Sequence, residues 1–476
     1  MNLKDLIIGS LNYGVVRYFS SALGLLRAVI MAIYLGPELL GIYSIVILIT
    51  EFLNYINLGV FFSMTRDIAL SLEEKKPIMD IRNIMGSALS FSLMMCCVLL
   101  AGLFLIFFST TFITESKVYD YLPYLFFLVL SCQFKHFTQR YLQVFDHFLL
   151  LGFLELLAQI INTVLVFFFI QQYLIEAILI SIIASNLILA IIGLSLKAEI
   201  NFKLDQKIVK NLIITGIPIL IYNIFTFIVA SADRAMIAFY YKQEIALGYF
   251  QLAFSLALGI FVGFRALSFI IQPRIFRRFR NQTTYQSIER QTHYLETILV
   301  FMSLVGILVL PFIIKIFISD YEISIRIMQF LLVAFTINGL SYFHSSYLIA
   351  NKRENVLIPP LILALVVAVL GNIAATENGY GLYGIAFSKV LAFGIYGLVI
   401  QLILSKEFSR PYLKDYFLTY YRSILLFLPL SYFIYKEISI FYAFIFYIIL
   451  YRSSLIEVYQ NIFIKYSNYL SKSEIR

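Results

Sequence analysis

Long runs without a charged residue divide the chain: Ile84–Thr114, Leu156–Ile175, Ala177–Leu196, Asn211–Ala232, Ile245–Phe264 and Asn355–Thr376. An α-helix needs about 20 apolar residues to cross the roughly 30 Å hydrocarbon core of a bilayer, so each run predicts a transmembrane helix. Filling the intervals gives fourteen predicted spans, approximately 11–35, 40–63, 84–108, 121–143, 149–170, 175–196, 211–241, 245–272, 294–318, 323–350, 355–375, 382–404, 417–435 and 438–456. Arg422 and Arg452 shorten the uncharged cores of the last two.

The basic positions between the spans gather in alternate loops. Loops on the side of the N-terminus carry Lys75, Lys76 and Arg82, then Lys197, Lys203, Lys207 and Lys210, then Arg274, Arg277, Arg278 and Arg280. They continue with Lys352 and Arg353, Lys406 and Lys414, and Lys465 and Lys472, while the opposite loops hold little beyond Lys117, Lys242, Lys315 and Lys436. Basic residues collect on the cytoplasmic side, which predicts an even number of spans with both termini in the cytoplasm. The N-terminal stretch is read as a retained first helix: Arg17 and Arg27 interrupt it, and Gly36-Pro37-Glu38 follows in place of a small-residue cleavage site.

Composition agrees with lipid as the solvent. Hydrophobic residues make up 61% of the 476 positions and charged residues 13%, against roughly 25% charged in soluble domains. The net charge of +9 is explained by the cytoplasmic loops, so no nucleic-acid partner is expected, although Arg274–Arg290 could attract anionic lipid headgroups. Cys96, Cys97 and Cys132 lack metal-ligand spacing, and the four histidines are scattered, so neither a metal nor a cofactor is expected. Asn281-Gln-Thr283 matches a glycosylation sequon but falls in a loop placed in the cytosol.

The chain also repeats itself. At an offset of 207, Arg27 recurs as Arg234, Tyr34 as Tyr241, Gly41 as Gly248 and Tyr173 as Tyr380; at 206, Tyr141-Leu142 recurs as Tyr347-Leu348. The offset covers six spans, an even number, so the halves are parallel repeats related by an axis along the membrane normal, with a substrate site expected between them. The expected domains are a six-helix lobe at 1–205, a second at 206–410, and an appended hairpin and tail at 411–476. The fold class is therefore an all-α polytopic membrane protein.

Charges inside spans are the candidate functional residues, since each costs at least about 2.5–3.5 kcal/mol to insert at the bilayer centre. They are Arg17, Arg27, Lys135, Arg140, Arg234, Arg265 and Lys389, against Glu51, Glu155 and Asp233. Arg17, Arg140 and Glu155 sit near span ends and are read as able to snorkel outward. Arg17, Ser20, Ser21, Gly24 and Arg27 share one helix face, and Asn223, Thr226, Ala230 and Asp233 trace another, with Arg234 beside it. A third stripe runs through Gln251, Ser255, Arg265 and Ser268, and span 2 adds Ser44, Glu51 and Asn54. Small polar stripes also glue helices together, but packing does not call for arginine. A net positive wet cavity calls for an anion, and the planar guanidinium fork suits phosphoryl oxygens. Arg27, Arg234, Arg265, Arg17, Lys389 and Asn223 are the expected substrate-binding residues, with Glu51 and Asp233 for charge pairing or ion coupling.

Three segments carry a resemblance: Tyr34-Leu-Gly-Pro-Glu-Leu-Leu-Gly41-Ile-Tyr43, Ala232-Asp-Arg-Ala-Met-Ile-Ala-Phe-Tyr240 with Gly248-Tyr249, and Asn372 with Gly379-Tyr-Gly-Leu-Tyr-Gly384. The chain resembles the polysaccharide exporters of the multidrug, oligosaccharidyl-lipid and polysaccharide (MOP) exporter superfamily, nearest the Wzx-type O-antigen flippases, over about residues 5–405. It departs from internal symmetry where Gly36-Pro37-Glu38 is matched by Lys242-Gln243-Glu244. The resemblance implies two six-helix lobes around a central cavity that flip undecaprenyl-pyrophosphate-linked oligosaccharides across the bacterial inner membrane by alternating access. It also implies as partners that lipid-linked substrate, membrane lipids, and a polysaccharide polymerase and chain-length regulator. A polymerase or glycosyltransferase would need a long outer loop, whereas the longest here is about Ser109–Asp120, so an enzyme is not expected. A cation-coupled multidrug antiporter of the same superfamily would need an acidic cavity, and this one reads as basic.

Overall fold

The computed structural model describes residues 3–73, 77–108, 119–197, 204–241, 243–280, 285–409 and 441–458, with isolated positions at 200, 202 and between 422 and 432. Regular structure among these residues is helical. The elements are α1 (Leu3–Leu53), α2 (Val60–Glu73), α3 (Ile78–Phe108), α4 (Leu122–Val144), α5 (Phe148–Lys197), α6 (Gln206–Met236) and α7 (Glu244–Arg280). They continue with α8 (Tyr285–Phe317), α9 (Ser324–Leu340), α10 (Tyr342–Ala350), α11 (Ile358–Glu377), α12 (Gly381–Glu407) and α13 (Phe441–Val458).

Two of these elements are double. α1, at 51 residues, breaks at Gly36 (φ 67°, ψ 175°), where glycine adopts the left-handed turn and Pro37 restarts the helix. α5, at 50 residues, breaks at Leu174 (φ 46°, ψ −119°). Each arm then matches one predicted span. The spans predicted between 11 and 404 fall on these helices, 438–456 falls on α13, and 417–435 lies mostly outside the described residues.

Some boundaries differ from expectation. α2 forms its own helix after the second span, and α7 runs on through Arg274–Arg280, which charge alone placed in a loop. A run of arginines marks a side of the membrane, and nothing in it stops a helix. The sequon at Asn281 and the outer loop over 109–118 lie outside the described residues.

Nine helical segments among the described residues are long and apolar enough to cross a membrane. Large apolar side chains such as Phe168, Phe312, Ile316 and Leu370 face outward, as they do when the surroundings are lipid. α4 is not among the nine. Gln133, Lys135, His136, Thr138, Gln139 and Arg140 crowd its second half, so it gives up hydropathy to present polar groups inward.

Two compact units emerge: residues 1–255 with 265–270, and residues 256–264 with 271–476. In the first, α1 lies along α5, and Phe61, Met64, Leu89, Phe137, Leu142 and Leu154 form a core among α2 to α5. In the second, α9, α11 and α12 pack together around buried Leu331, Leu332, Ala364 and Ile385.

The internal repeat is visible in the backbone. After α4, Asp146 takes φ 57° and His147 N–H donates to the Leu142 carbonyl at 2.9 Å. After α10, Lys352 takes φ 57° and Arg353 N–H donates to the Leu348 carbonyl at 2.9 Å. The two turns are 206 residues apart, as are the Tyr-Leu pairs that precede them. Leu174, the kink of α5, matches Gly381 (φ 55°) at the offset of 207.

Candidate functional site

Within the first unit, α1 presents two arginines three turns apart. Ser20 and Ser21 return their hydroxyls to the carbonyls of Val16 and Arg17, which satisfies them inside the helix and leaves the arginines to find partners elsewhere. Arg17 Nη1 meets Glu155 Oε2 at 3.1 Å, and Gln139 Nε2 donates to the other Glu155 oxygen at 2.6 Å. Glu155 is therefore buried and paired, which corrects its reading as an outward-snorkelling end residue.

Arg27 has less. It pairs with no carboxylate among the described residues, and its Nε is buried without a hydrogen-bond partner in the protein, as are the Nε of Arg17 and Arg234 and the amide nitrogen of Gln159 one turn beyond Glu155 on α5. Lys135 on α4 lies close enough to feel the charge of Arg17, Arg27 and Glu155. The group thus sets Arg17, Arg27 and Lys135 against Glu155. A buried unpaired N–H costs about 1–3 kcal/mol, which an anionic ligand offering oxygens would recover.

A second group lies where α6 and α7 meet α1. Arg234 is 2% exposed. Its Nη2 meets Glu51 Oε2 at 3.3 Å and its guanidinium stands 4.1 Å over the Phe254 ring. Gln251, which faces Arg234 Nη1 at 3.5 Å, also accepts from Ser44 Oγ at 2.8 Å. Asp233 Oδ1 accepts the backbone N–H of Arg234 at 2.9 Å. Buried Tyr43 is near enough to feel both Arg27 and Glu51, so the two groups are electrostatic neighbours.

The crossing of α1 with α7 obeys the repeat. Gly41 packs against the carbonyl of Glu244, Gly248 packs against the carbonyl of Pro37, and Ser44 bonds Gln251. Gly41 and Gly248, Pro37 and Glu244, and Ser44 and Gln251 are each 207 residues apart, so this contact is self-complementary about a local two-fold axis.

The remaining candidates are dispersed. Asn223 on α6 keeps a buried side-chain amide nitrogen without a partner, while its backbone carbonyl accepts from Tyr55 Oη at 3.3 Å. Lys389 belongs to the second unit, buried with Nζ 5.7 Å from the Phe335 ring centre. Arg265 is in α7, and its side chain lies outside the described residues. The sequence marks Lys135 and Glu155 as intraspan charges, and the structure brings them together. The available signal was spacing: Lys135 with Gln139, and Glu155 with Gln159, are i, i+4 pairs on consecutive spans.

Residues 9–279 match the family profile described as "Polysaccharide biosynthesis protein". Curated proteins yield no sequence match. Among solved structures, the inward closed conformation of the lipid II flippase MurJ is similar with a TM-score of 0.67 at 18% identity, covering 93% of this chain and 99% of that one. A point mutant of the Vibrio cholerae MATE transporter VcmN is similar with a TM-score of 0.65 at 13% identity, covering 85% and 98%. A MATE in complex with MaL6 gives a TM-score of 0.62 at 13% identity, covering 84% and 96%.

Proposed function

We propose, from the premise that this chain belongs to the polysaccharide biosynthesis protein family, that it flips undecaprenyl-pyrophosphate-linked oligosaccharide units across the bacterial inner membrane. The chain is a multi-pass membrane protein with the fold shared by flippases and transporters of the MOP superfamily. The observation that carries the reading is the Arg17–Arg27–Lys135 group, basic in excess and holding an unpartnered guanidinium N–H. A pyrophosphate brings about two negative charges and several acceptor oxygens, and its lipid tail can stay in the bilayer while the sugar crosses. Arginine can grip it with two parallel hydrogen bonds, and the protein then mainly offsets the cost of moving a charged head through a low dielectric.

In this reading the repeats 1–205 and 206–410 move as lobes, 411–476 is accessory, and both termini are cytoplasmic, which the charge alternation supports. Asn223, Arg265 and Lys389 would extend the substrate path, the glycan being of the O-antigen or capsular kind. A polymerase and chain-length regulator would receive the flipped unit. The multidrug-antiporter alternative has less support, because Glu51 is paired with the Arg234 guanidinium and Asp233 accepts the Arg234 backbone N–H. Depleting the protein from cells that make the glycan should remove surface polysaccharide and leave lipid-linked units on the cytoplasmic leaflet, with both effects reversed by the wild-type gene. Undiminished surface glycan, with no such accumulation, overturns the proposal.

The acidic residues give a separate expectation. Glu51→Gln leaves buried Arg234 without its carboxylate. The loss should be smaller than the about 3–5 kcal/mol of a fully buried broken pair, because the Glu51 side chain is 45% exposed. Thermal unfolding in detergent should show a lowered midpoint. Transport that keeps its rate and pH dependence in both Glu51→Gln and Asp233→Asn would remove either residue from pairing or coupling.

A further inference from the structure

One face of the first unit sets aromatic rings beside polar groups that the basic site does not use. Glu51 and Phe52 stand at the end of α1, and Tyr55 follows in the short 3₁₀ turn Asn54–Asn57. Asn223 and Phe227 lie one turn apart on α6. The Phe227 ring meets Tyr55 edge-on with centres 5.8 Å apart and Phe52 at 6.3 Å. Tyr55 Oη donates to the Asn223 backbone carbonyl at 3.3 Å, and Tyr55 is close enough to Glu51 to feel its charge.

This face is wet. The Glu51 side chain is 45% exposed although the residue stands at the middle of the predicted span 40–63, and an ionised carboxylate so placed cannot face hydrocarbon. Phe52, the next residue, is 52% exposed. It reaches the same Phe227 ring as Tyr55, so the aromatic surface adjoins the carboxylate.

The polar groups decide what fits. Arg234 Nη2 meets Glu51 Oε2 at 3.3 Å and neutralises the charge, while the exposed side of the carboxylate can accept from a hydroxyl. The Asn223 side-chain amide nitrogen is buried without a partner among the described residues and can donate. A donor, an acceptor and apolar ring faces with no net charge suit a pyranose sugar. Its hydroxyls both donate and accept, and its C–H face lies against aromatic faces, which carry partial negative charge. A pyrophosphate only accepts, and Glu51 would repel it. An organic cation is also drawn to rings and a carboxylate, but this carboxylate is already balanced by Arg234.

The group belongs to one repeat only. At the offset of 207, Phe52 matches Gly259, Tyr55 Val262, Asn223 Val16 and Phe227 Ser20. Packing that both halves need is repeated, as at Gly41 and Gly248, whereas these side chains are not.

We propose that Glu51, Phe52, Tyr55, Asn223 and Phe227 form a sugar-binding subsite for the glycan of the transported lipid. The proposal rests on the flippase reading above and adds the contact that tells a sugar-bearing lipid from a bare one. Tyr43, near enough to feel both Arg27 and Glu51, places the subsite next to the basic group, so it would receive the sugar nearest the pyrophosphate.

The test is native mass spectrometry of the full-length protein titrated with two lipids. One is bare undecaprenyl pyrophosphate; the other is the undecaprenyl-pyrophosphate-linked oligosaccharide extracted from cells depleted of this protein. Tetraphenylphosphonium serves as an organic-cation probe. The wild type should bind the sugar-bearing lipid about tenfold more tightly than the bare one. Phe227→Leu and Asn223→Leu should each lower the affinity for the sugar-bearing lipid about three- to tenfold and leave that for the bare lipid unchanged. Phe227→Tyr, which keeps the ring, should retain the wild-type preference. Equal wild-type affinity for the two lipids, or an equal loss for both in the leucine variants, overturns the proposal. Tetraphenylphosphonium bound by the wild type and lost in Phe227→Leu makes this a cation site and overturns it too. Should Phe227→Leu fail to insert, Phe52→Leu at the half-exposed ring carries the same expectation and decides. Arg27→Ala should weaken both lipids. If it weakens neither while Phe227→Leu still lowers only the sugar-bearing one, the pyrophosphate site is wrong and the sugar subsite stands; binding of neither lipid by the wild type removes both.

Discussion

Gly41→Leu and Gly248→Leu are each expected to abolish transport while leaving the protein in the membrane. A Cβ added at Gly41 would fall inside the van der Waals envelope of the Glu244 carbonyl, and one at Gly248 would do the same to the Pro37 carbonyl. The obstacles are backbone atoms, so no rotamer change relieves them, and the helices must separate. Overpacking of side chains typically costs about 1–3 kcal/mol, and a rigid backbone clash at a helix crossing lies at or above the top of that range. The crossing is self-complementary, so one substitution disturbs half of a paired contact and strains the Ser44–Gln251 bond on its axis. It also sits beside the Arg234–Glu51 pair, 3.3 Å apart, which depends on α1 and α6 keeping their spacing. In the alternating-access cycle proposed above, this crossing would have to close fully in one state. Gly102→Ala, where the added carbon meets nothing within 4 Å, is the control and should transport normally. Surface glycan per inserted protein is the measurement, and wild-type display by both leucine variants would remove the crossing from the transport cycle.

The sequence disclosed the helices because lipid imposes a single rule on every span, and the uncharged runs follow it. It disclosed the kink at Gly36, since Gly-Pro is a recognised break. The break at Leu174 has no such signature, because leucine does not announce a left-handed turn. Only the repeat could have pointed to it, through the glycine at 381. Boundaries set by charge were less legible: α7 passes through its arginines because sidedness and helix termination are separate physical matters.

The site divided in the same way. The α1 face bearing Arg17 and Arg27 was legible from spacing, and the equivalence of Arg27 with Arg234 from the repeat. What spacing could not show was where the equivalence stops. The residue matched to Glu51 at the offset of 207 is Leu258. Arg234 therefore has a carboxylate and an aromatic face, whereas the repeat supplies Arg27 with no corresponding acid. Two arginines that align in sequence occupy different electrostatic surroundings.

That asymmetry sets the last expectation: Arg27→Ala should abolish export at normal insertion, whereas Arg234→Ala should act chiefly through stability. Both arginines keep a buried Nε without a protein partner, but Arg27 shares its surroundings with Arg17 and Lys135 where Arg234 has Glu51. Removing it takes like charge away from a crowded basic group, so the folded protein should be no less stable. A pyrophosphate held there as proposed, however, would lose a charge-assisted pair of hydrogen bonds. Each such bond contributes about 1.5–3 kcal/mol, so losing two at the step that carries the charged head slows it by at least two orders of magnitude. Arg27→Lys keeps the charge and loses the planar fork, and an intermediate rate is expected. Arg234→Ala instead vacates a packed site against Phe254 and strands half-exposed Glu51, so its unfolding midpoint should fall. Surface glycan normalised to inserted protein, read beside the unfolding midpoint, separates the two residues. If Arg27→Ala displays wild-type glycan at matched expression, Arg27 is a structural charge and the pyrophosphate site does not lie on this face of α1.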